Sequence, residues 1–225
     1  MADSALHDRY HAVVDAVDSA ARDAGRDPGE ITTVVVTKFH PSSLVRELYE
    51  LGVRDVGESR HQEAAPKHEQ VSDLDLTWHF VGQLQSNKAL AVSSYCQVIH
   101  SLDRSSLVNK LAQASGVVDV FIELNLTDDP GRGGVWPDDL SALVEQVITT
   151  PSLRLKGLMA VAPQDEAPAA AFERVLVYRE SLLALSPSST DLSLGMSGDF
   201  AEAIAVGATH LRIGTAITGK RPTPA

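Results

Sequence analysis

The sequence predicts an α/β fold, a single (β/α)8 TIM-type barrel with an extra N-terminal helix, which spans residues 1–225 as one domain. Short β-branched or apolar runs alternate with segments of helical spacing, and strands that alternate with helices form a parallel sheet. The chain holds eight such units, the number that closes a barrel. Its 225 residues, 44% of them hydrophobic, can bury a substantial core. An open doubly wound sheet is the structural alternative.

The first predicted element is a helix at about residues 4–24, because Val13, Val14 and Val17 lie at helical spacing and Gly25 ends it. The predicted strands are Ile31–Thr37, Asp55–Glu58, Thr77–Val81, Gln97–Ser101, Val120–Leu126, Leu155–Val161, Leu192–Met196 and His210–Ile213. The predicted helices between them begin at Pro41, pass through Gln62–Ala64, begin near Asn87, and cover Asp138–Ile148, Ala169–Leu185 and Phe200–Val206.

Composition and charge exclude several classes of protein. The 19 basic and 30 acidic residues give a net charge of −11, and no basic cluster is interleaved with aromatic residues, so we expect no nucleic-acid partner. A lone cysteine, Cys96, forms no internal disulfide and has no companion at metal-ligand spacing, which favours the cytoplasm. No basic-then-apolar leader and no apolar run of roughly 18 residues is present, so we expect neither export nor a membrane partner.

Lys38 is the residue that most strongly suggests chemistry. It follows the β-branched run Ile31–Thr37, which predicts a buried strand that delivers an amine to its C-terminal end. A buried ammonium is costly, so such a lysine is either paired with an acid or kept as a neutral amine that can attack a carbonyl. A neutral amine that attacks a carbonyl would indicate Schiff-base chemistry. The alternative interpretation is a lysine at the strand end whose side chain simply reaches solvent.

The two turns after the seventh and eighth predicted strands suggest a phosphate site. In a barrel of this kind, the loops after those strands often hold a phosphate. Gly195–Asp199 opens a helix, and its backbone N–H groups and the Ser197 hydroxyl are suitable donors, whereas Asp199 is better explained as a helix cap. After the eighth strand, Gly214 allows close backbone approach and Thr215 adds a hydroxyl. The alternative is that both are ordinary strand-to-helix turns.

Three further residues are candidates for acid–base work. Glu58, His79 and His100 lie at or near predicted strand ends and could face the mouth of the barrel. A structural ion pair is the alternative for Glu58, and a core histidine with its hydrogen bonds satisfied is favoured for His79. No spacing of His, Asp or Glu suggests a metal, and the loop 128–134 follows no nucleotide-binding pattern.

Several stretches carry a family resemblance, and together they span nearly the whole chain. They are Val34–Lys38, Val56–Glu58 with Gln62, Trp78–Gly82, Leu84–Lys88, Ile99–Ser101, Gly157–Met159, Leu194–Ser197 and Val206–Ala216. Trp78–Gly82 with its Leu84–Lys88 tail and the closing Arg212–Ala216 are the most specific. In these stretches the chain resembles the pyridoxal phosphate homeostasis protein family, small proteins similar to the barrel domain of alanine racemase.

The resemblance implies a cofactor and the residues that hold it. Lys38 would form an internal aldimine with pyridoxal 5′-phosphate (PLP). The phosphate would rest on Ser197, Gly214 and Thr215, with Met196 close to the cofactor.

The resemblance also implies that Arg212 faces the pyridine nitrogen. A guanidinium donates a hydrogen bond to that nitrogen without protonating it, so the ring would be a weak electron sink. Ser59 is also expected to bind the cofactor: it stands where the family usually has an asparagine near the cofactor, and its shorter side chain can still donate one hydrogen bond. Gln83 stands where the family varies, and no function is attached to it.

The resemblance favours a carrier over an enzyme. Racemases and decarboxylases that share this barrel carry a second, β-rich domain, and we expect none here because only Lys220–Ala225 follow Gly219. We therefore expect a monomeric protein with no catalytic residues, which holds PLP, hands it to PLP-dependent apoenzymes and sustains the vitamin B6 pool.

Two enzymatic functions remain as alternatives. A PLP-dependent amino-acid racemase would need a second proton-transfer group opposite Lys38, and the sequence offers no convincing one. A cofactor-free aldolase would use Lys38 as a Schiff-base nucleophile on a phosphorylated sugar.

Overall fold

The computed structural model describes residues 4–129 and 131–221, and it contains a closed barrel of eight parallel strands. The strands are β1 (Thr32–Val36), β2 (Asp55–Glu58), β3 (Thr77–Phe80), β4 (Val98–Leu102), β5 (Val118–Glu123), β6 (Leu153–Met159), β7 (Asp191–Ser193) and β8 (His210–Ile213). Each strand pairs with the next in sequence, and β1 pairs with β8 to close the barrel. The predicted fold class is confirmed, and the open doubly wound sheet is excluded.

Helices surround the barrel and connect its strands. They are α1 (Ser4–Asp23), α2 (Ser42–Glu50), α3 (His61–Gln70), α4 (Ala89–Ser93), α5 (Ser105–Leu111), α6 (Leu140–Ile148), α7 (Pro168–Leu185), α8 (Phe200–Ala205) and α9 (Thr215–Thr218). The predicted extra N-terminal helix is α1, which packs against α8 and α9. None of the helices within the described ranges is long and apolar enough to cross a membrane.

Some predicted boundaries were wrong, and the backbone explains the clearest case. The strands β2 and β8 have the predicted bounds, whereas β5 and β6 begin two residues earlier than predicted. The strand β7 ends at Ser193 rather than Met196, because Gly195 has a φ of +86°, outside the extended region. The short helix α9 was not predicted.

The strands bury side chains on both faces. Outward side chains pack with the helices in the main apolar core, as those of Trp78 and Phe80 do. Val98, Phe121 and Met159 form a separate small apolar cluster, which lies inside the barrel according to the strand register. The interior also holds the polar side chains of His79, His100, Ser193 and Arg212.

Candidate functional site

Lys38 lies just beyond the C-terminal end of β1, as predicted, but its side chain is exposed rather than buried. The chain turns at this point, because the His40 N–H donates to the Thr37 carbonyl at 3.1 Å and Phe39 adopts a φ of +69°. Lys38 has no hydrogen bond or ion pair with any of the residues the structure describes. The expectation of a buried Lys38 side chain was therefore wrong: this strand-end lysine reaches solvent, and its amine lies at the barrel mouth.

The buried lysine of this region is Lys67 on α3. Its Nζ donates to the Thr37 carbonyl at 2.8 Å and to Oε1 of Glu58, which also accepts from Oγ1 of Thr37 at 2.7 Å. Glu58 is 0% exposed and Lys67 is 6% exposed. We call Thr37, Glu58 and Lys67 the outer cluster, because it lies between β2 and α3 on the outside of the barrel.

The outer cluster decides the role of Glu58. Burial raises the pKa of the Glu58 carboxyl, and the charge and hydrogen bond of Lys67 oppose that shift. The structural ion pair considered for Glu58 is confirmed, and the idea that Glu58 faces the mouth was wrong. The cluster fixes the carbonyl of Thr37, the residue directly before Lys38.

The residues predicted to hold a phosphate lie beside Lys38. Gly214 and Thr215 line a cavity of about 150 Å³ together with Lys38 and His40. A Cβ on Gly214 would lie 3.5 Å from the Val36 carbonyl oxygen, so the backbone of β8 runs close to that of β1 here. Burial lowers the pKa of His40, and the charges of Lys67 and Arg9 lower it further.

Ser197 and Met196 lie on the neighbouring loop. The Ala216 N–H donates to Ser197 Oγ at 3.4 Å, so the loop after β7 contacts α9, which follows β8. The Met196 side chain is 38% exposed. Asp199 stands at the N-cap position of α8 but caps no helical N–H; its Oδ1 accepts from the Met196 N–H at 2.5 Å. The cap role expected for the Asp199 side chain was wrong, and the carboxylate closes the loop instead.

Arg212 is buried inside the barrel, with 5% of its surface exposed. Its Nη1 donates to the carbonyl and to Oγ of Ser193 at 2.6 and 2.7 Å, and its Nη2 donates to the Ala160 carbonyl at 2.9 Å. Burial lowers its pKa to about 10 while Glu123 and Asp199 oppose the shift, so the guanidinium stays charged near neutral pH. These three bonds leave two of the five N–H groups without a partner among the described residues.

His79 and His100 lie inside the barrel and connect to Arg212. Nδ1 of His79 lies 2.8 Å from Nε2 of His100, and Nδ1 of His100 lies 2.7 Å from Ser193 Oγ. Nε2 of His79 lies 3.0 Å from Oδ1 of Asp55, at the start of β2. We call Asp55, His79, His100, Ser193 and Arg212 the inner array. The core-histidine interpretation of His79 is confirmed, and the array leads away from the mouth.

Ser59 and Gln83 line a different cavity, of about 460 Å³, together with Arg60 and Lys88. A Cβ on Gly82 would lie 2.4 Å from the Ser59 carbonyl oxygen, so only glycine fits where the loops after β2 and β3 meet. The structure brings Lys38, Gly214 and Thr215 into one cavity, with Ser197 alongside. Ser59, Met196 and Arg212 are not among the residues that line this cavity.

The sequence did not single out Glu123, the last residue of β5. Burial raises the pKa of its carboxyl to about 7, and Asp103 adds to the shift while Arg212 and Arg132 oppose it. The available signal was an acid directly after the apolar run Val120–Ile122 at the end of this strand. Across residues 4–129 and 131–221, no group of three or more His, Cys, Asp or Glu side chains is placed to hold a metal ion.

The fold and this site define a class of protein, and comparison with known proteins agrees. A family model described as alanine racemase, N-terminal domain, matches residues 28–222. The alanine racemase of Corynebacterium glutamicum shares the fold at 14% identity and a TM-score of 0.68, over 95% of this chain and 61% of that one. The class is therefore the barrel of the alanine racemase N-terminal domain.

Closer relatives narrow the assignment. The pyridoxal phosphate homeostasis protein of Pseudomonas aeruginosa is 40% identical over 206 residues, which cover 90% of each chain. The solved structure of PipY from Synechococcus elongatus, with PLP bound, is similar at 31% identity and a TM-score of 0.81, covering 95% of this chain and all of that one. This chain belongs to the pyridoxal phosphate homeostasis protein family.

Proposed function

We propose that this chain binds PLP at the mouth of its barrel and takes part in PLP homeostasis as a carrier. One observation carries the proposal: the free amine of Lys38 shares a small cavity with Gly214 and Thr215, and the Ser197 hydroxyl lies alongside. An aldehyde with a phosphate arm needs this pair of features, an amine and a cup of N–H and hydroxyl donors. The relatives' names and the PLP-bound PipY structure support the same ligand.

The residues at the mouth fit PLP chemically. Lys38 would hold the cofactor covalently through its amine, and Met196 would lie beside it. Gly214 lacks the Cβ that would narrow the cup toward Val36, and Arg212 has two N–H groups free for an acceptor such as the pyridine nitrogen. When bound, PLP supplies an electrophilic carbonyl and an electron-withdrawing ring.

A carrier is favoured over a racemase because no second base lies opposite Lys38 among the described residues that line the cavity. Among its described lining residues, the neutral base is His40, which stands on the same turn as Lys38. A proton can be exchanged from both faces of a bound amino acid only with a group on each side. The proposal includes a monomer in the cytoplasm that passes PLP to apoenzymes. Ser59, which directly follows β2 at the rim of the barrel, would donate a hydrogen bond to PLP in place of the family's asparagine.

The first experiment is a visible spectrum of the purified protein with PLP, followed by borohydride reduction and peptide mapping. We expect a yellow protein with the adduct on Lys38, lost in Lys38→Ala and kept in the matched variant Lys88→Ala, because Lys88 lines the other cavity. A colourless protein without an adduct would overturn the proposal and favour the cofactor-free aldolase. An adduct on Lys88 would move the site to the second cavity.

The carrier role has its own test. The PLP-loaded protein is incubated with enantiopure amino acids in deuterated water, and α-proton exchange is followed by NMR. We expect exchange no faster than with free PLP. Faster exchange would replace the carrier by the racemase alternative.

A further inference from the structure

The inner array is a continuous line of hydrogen bonds through the barrel. It begins at Asp55, whose side chain is 30% exposed at the start of β2, and ends at the buried Arg212 on β8. The three residues between these ends come from β3, β4 and β7 and are 0–1% exposed. No step exceeds 3.0 Å. The members therefore touch one another and have no contact with solvent between the two ends.

The donor and acceptor roles along this line can be assigned from its ends. A guanidinium only donates, so Ser193 Oγ accepts from Arg212, and its single O–H is then free to donate to Nδ1 of His100. His100 must carry its proton on Nε2, which donates to Nδ1 of His79. His79 then donates from Nε2 to the carboxylate of Asp55, which only accepts.

The opposite direction leaves groups unsatisfied. If His79 donated from Nδ1, His100 would donate to Ser193, and the Ser193 O–H would have no acceptor among the described residues. In that arrangement Nε2 of a neutral His79 would carry no proton, and it would face the Asp55 carboxylate although both atoms can only accept a hydrogen bond. Unpaired buried polar groups are costly, so a neutral pair with both protons on Nε2 is the favoured state.

The surroundings of His100 also disfavour a charge on it. Burial lowers its pKa well below the ordinary value, and the positive charges of Arg212 and of protonated His79 or His210 lower it further. Phe121 stacks on the ring at 4.7 Å between centroids and offers no counter-charge. The His210 ring lies 6.0 Å away.

We propose that Ser193, His100 and His79 are positioning residues that hold the Arg212 guanidinium in place through hydrogen bonds that all donate toward Asp55. Their effect is to keep the two unpaired N–H groups of Arg212 available to the ring nitrogen of PLP. This last step rests on the proposed function, whereas the direction of the hydrogen bonds does not.

The direction is tested in the protein without PLP. NMR of the full chain labelled with ¹⁵N in histidine should show His79 and His100 neutral at pH 7.5, with both protons on Nε2. Ser193→Ala should shift the Nδ1 resonance of His100. Ser101→Ala is the matched control, because Ser101 is buried on the same strand as His100 and its hydroxyl has no partner in the described structure. A proton on Nδ1 of either ring, or equal spectra for the two variants, would overturn the proposal.

The effect on Arg212 is tested by PLP titration of the same variants. We expect Ser193→Ala to bind PLP about 10-fold more weakly and to shift its visible band, because a hydrogen bond to a charged group is lost. Ser101→Ala should match the wild type. A second pair of variants makes the test independent of Ser193→Ala. The His79→Gln side chain can still accept and donate a hydrogen bond, whereas the His79→Leu side chain can do neither. Only His79→Leu should therefore weaken PLP binding.

The outcomes separate the two proposals. If the wild type binds no PLP at Lys38, the proposed function fails while the NMR result still stands. If the wild type binds PLP and Ser193→Ala binds it equally well, the positioning role fails while the proposed function stands.

Discussion

The outer cluster and the inner array lie on opposite faces of β2, and each supports a different part of the candidate site. The outer cluster is an ion pair that fixes the Thr37 carbonyl next to Lys38. The inner array is a line of mostly neutral groups that fixes the Arg212 guanidinium. The outer cluster therefore orients a backbone carbonyl through a pair of opposite charges. The inner array orients a charged side chain through hydrogen bonds from groups that are mostly neutral.

The difference shows how the same barrel tolerates buried polar groups in two ways. In the outer cluster the buried charges of Glu58 and Lys67 compensate each other. Removal of either side chain therefore leaves the other charge buried without a counter-charge. In the inner array the only buried charge, on Arg212, is spread over two carbonyls and a hydroxyl. The outer cluster should therefore be more sensitive to single substitutions, and the inner array more sensitive to pH.

Lys67→Met should have the largest effect on stability. It leaves the buried Glu58 without its counter-charge, and breaking a buried pair costs about 3–5 kcal/mol. Urea unfolding at pH 7.5 measures the loss, with Lys110→Met as an exposed control within about 0.5 kcal/mol of the wild type. The double variant Lys67→Met, Glu58→Leu should recover most of the stability. A single variant as stable as the wild type would show that the outer cluster does not support the fold.

Acid should destabilise the inner face of the barrel. Burial lowers the pKa of His210 to about 4 and that of His100 well below its ordinary value. Because the unfolded chain binds protons first, near pH 6.5, their contribution is complete above that pH and is lost as the pH falls toward about 4. For His210 a shift of this size corresponds to about 3 kcal/mol.

The comparison variant for this effect is His210→Gln, which removes one of the titrating groups, and His7→Gln is the exposed control. Urea unfolding between pH 7 and pH 4 should show a shallower loss for His210→Gln than for His7→Gln. Parallel curves for the two variants would mean that His210 does not contribute to the acid sensitivity.

Glu123→Gln should stabilise the protein at alkaline pH, because burial of the Glu123 carboxylate costs more than the charges of Arg212 and Arg132 return. Its pKa of about 7 in the folded state lies above the unfolded value, so its favourable contribution is complete below about pH 4.3 and is lost as the pH rises through 7. We expect a gain of about 1–3 kcal/mol at pH 8 and little change at pH 4. A loss at pH 8 would show that attraction to Arg212 outweighs the cost of burial.

The sequence predicted what depends on chain order and local pattern. The alternation of strands and helices was sufficient for the barrel, and β2 and β8 had their observed bounds. Lys38, Gly214 and Thr215 could be expected together because the C-terminal ends of all strands of such a barrel meet at one rim.

What the sequence could not predict depends on which face of an element meets which neighbour. Lys67 is one of several polar residues on α3, and only the orientation of that helix places its amine on Glu58. The contact of His100 with Ser193 depends on the strand register, which shifts between Ile99 and Leu102 on β4. Lys38 seemed to need a partner only because its side chain was expected to be buried.

Lys38→Ala should change the stability of the PLP-free protein least of all, by less than about 0.5 kcal/mol, because the exposed side chain belongs to neither the outer cluster nor the inner array. Added PLP should separate the two proteins: a ligand at 100 times its dissociation constant stabilises the folded state by about 2.7 kcal/mol, and Lys38→Ala should gain less. Urea unfolding with and without PLP measures both differences. A loss above about 1 kcal/mol without PLP would mean that the Lys38 amine, and not only the outer cluster beneath it, holds the turn after β1 in place.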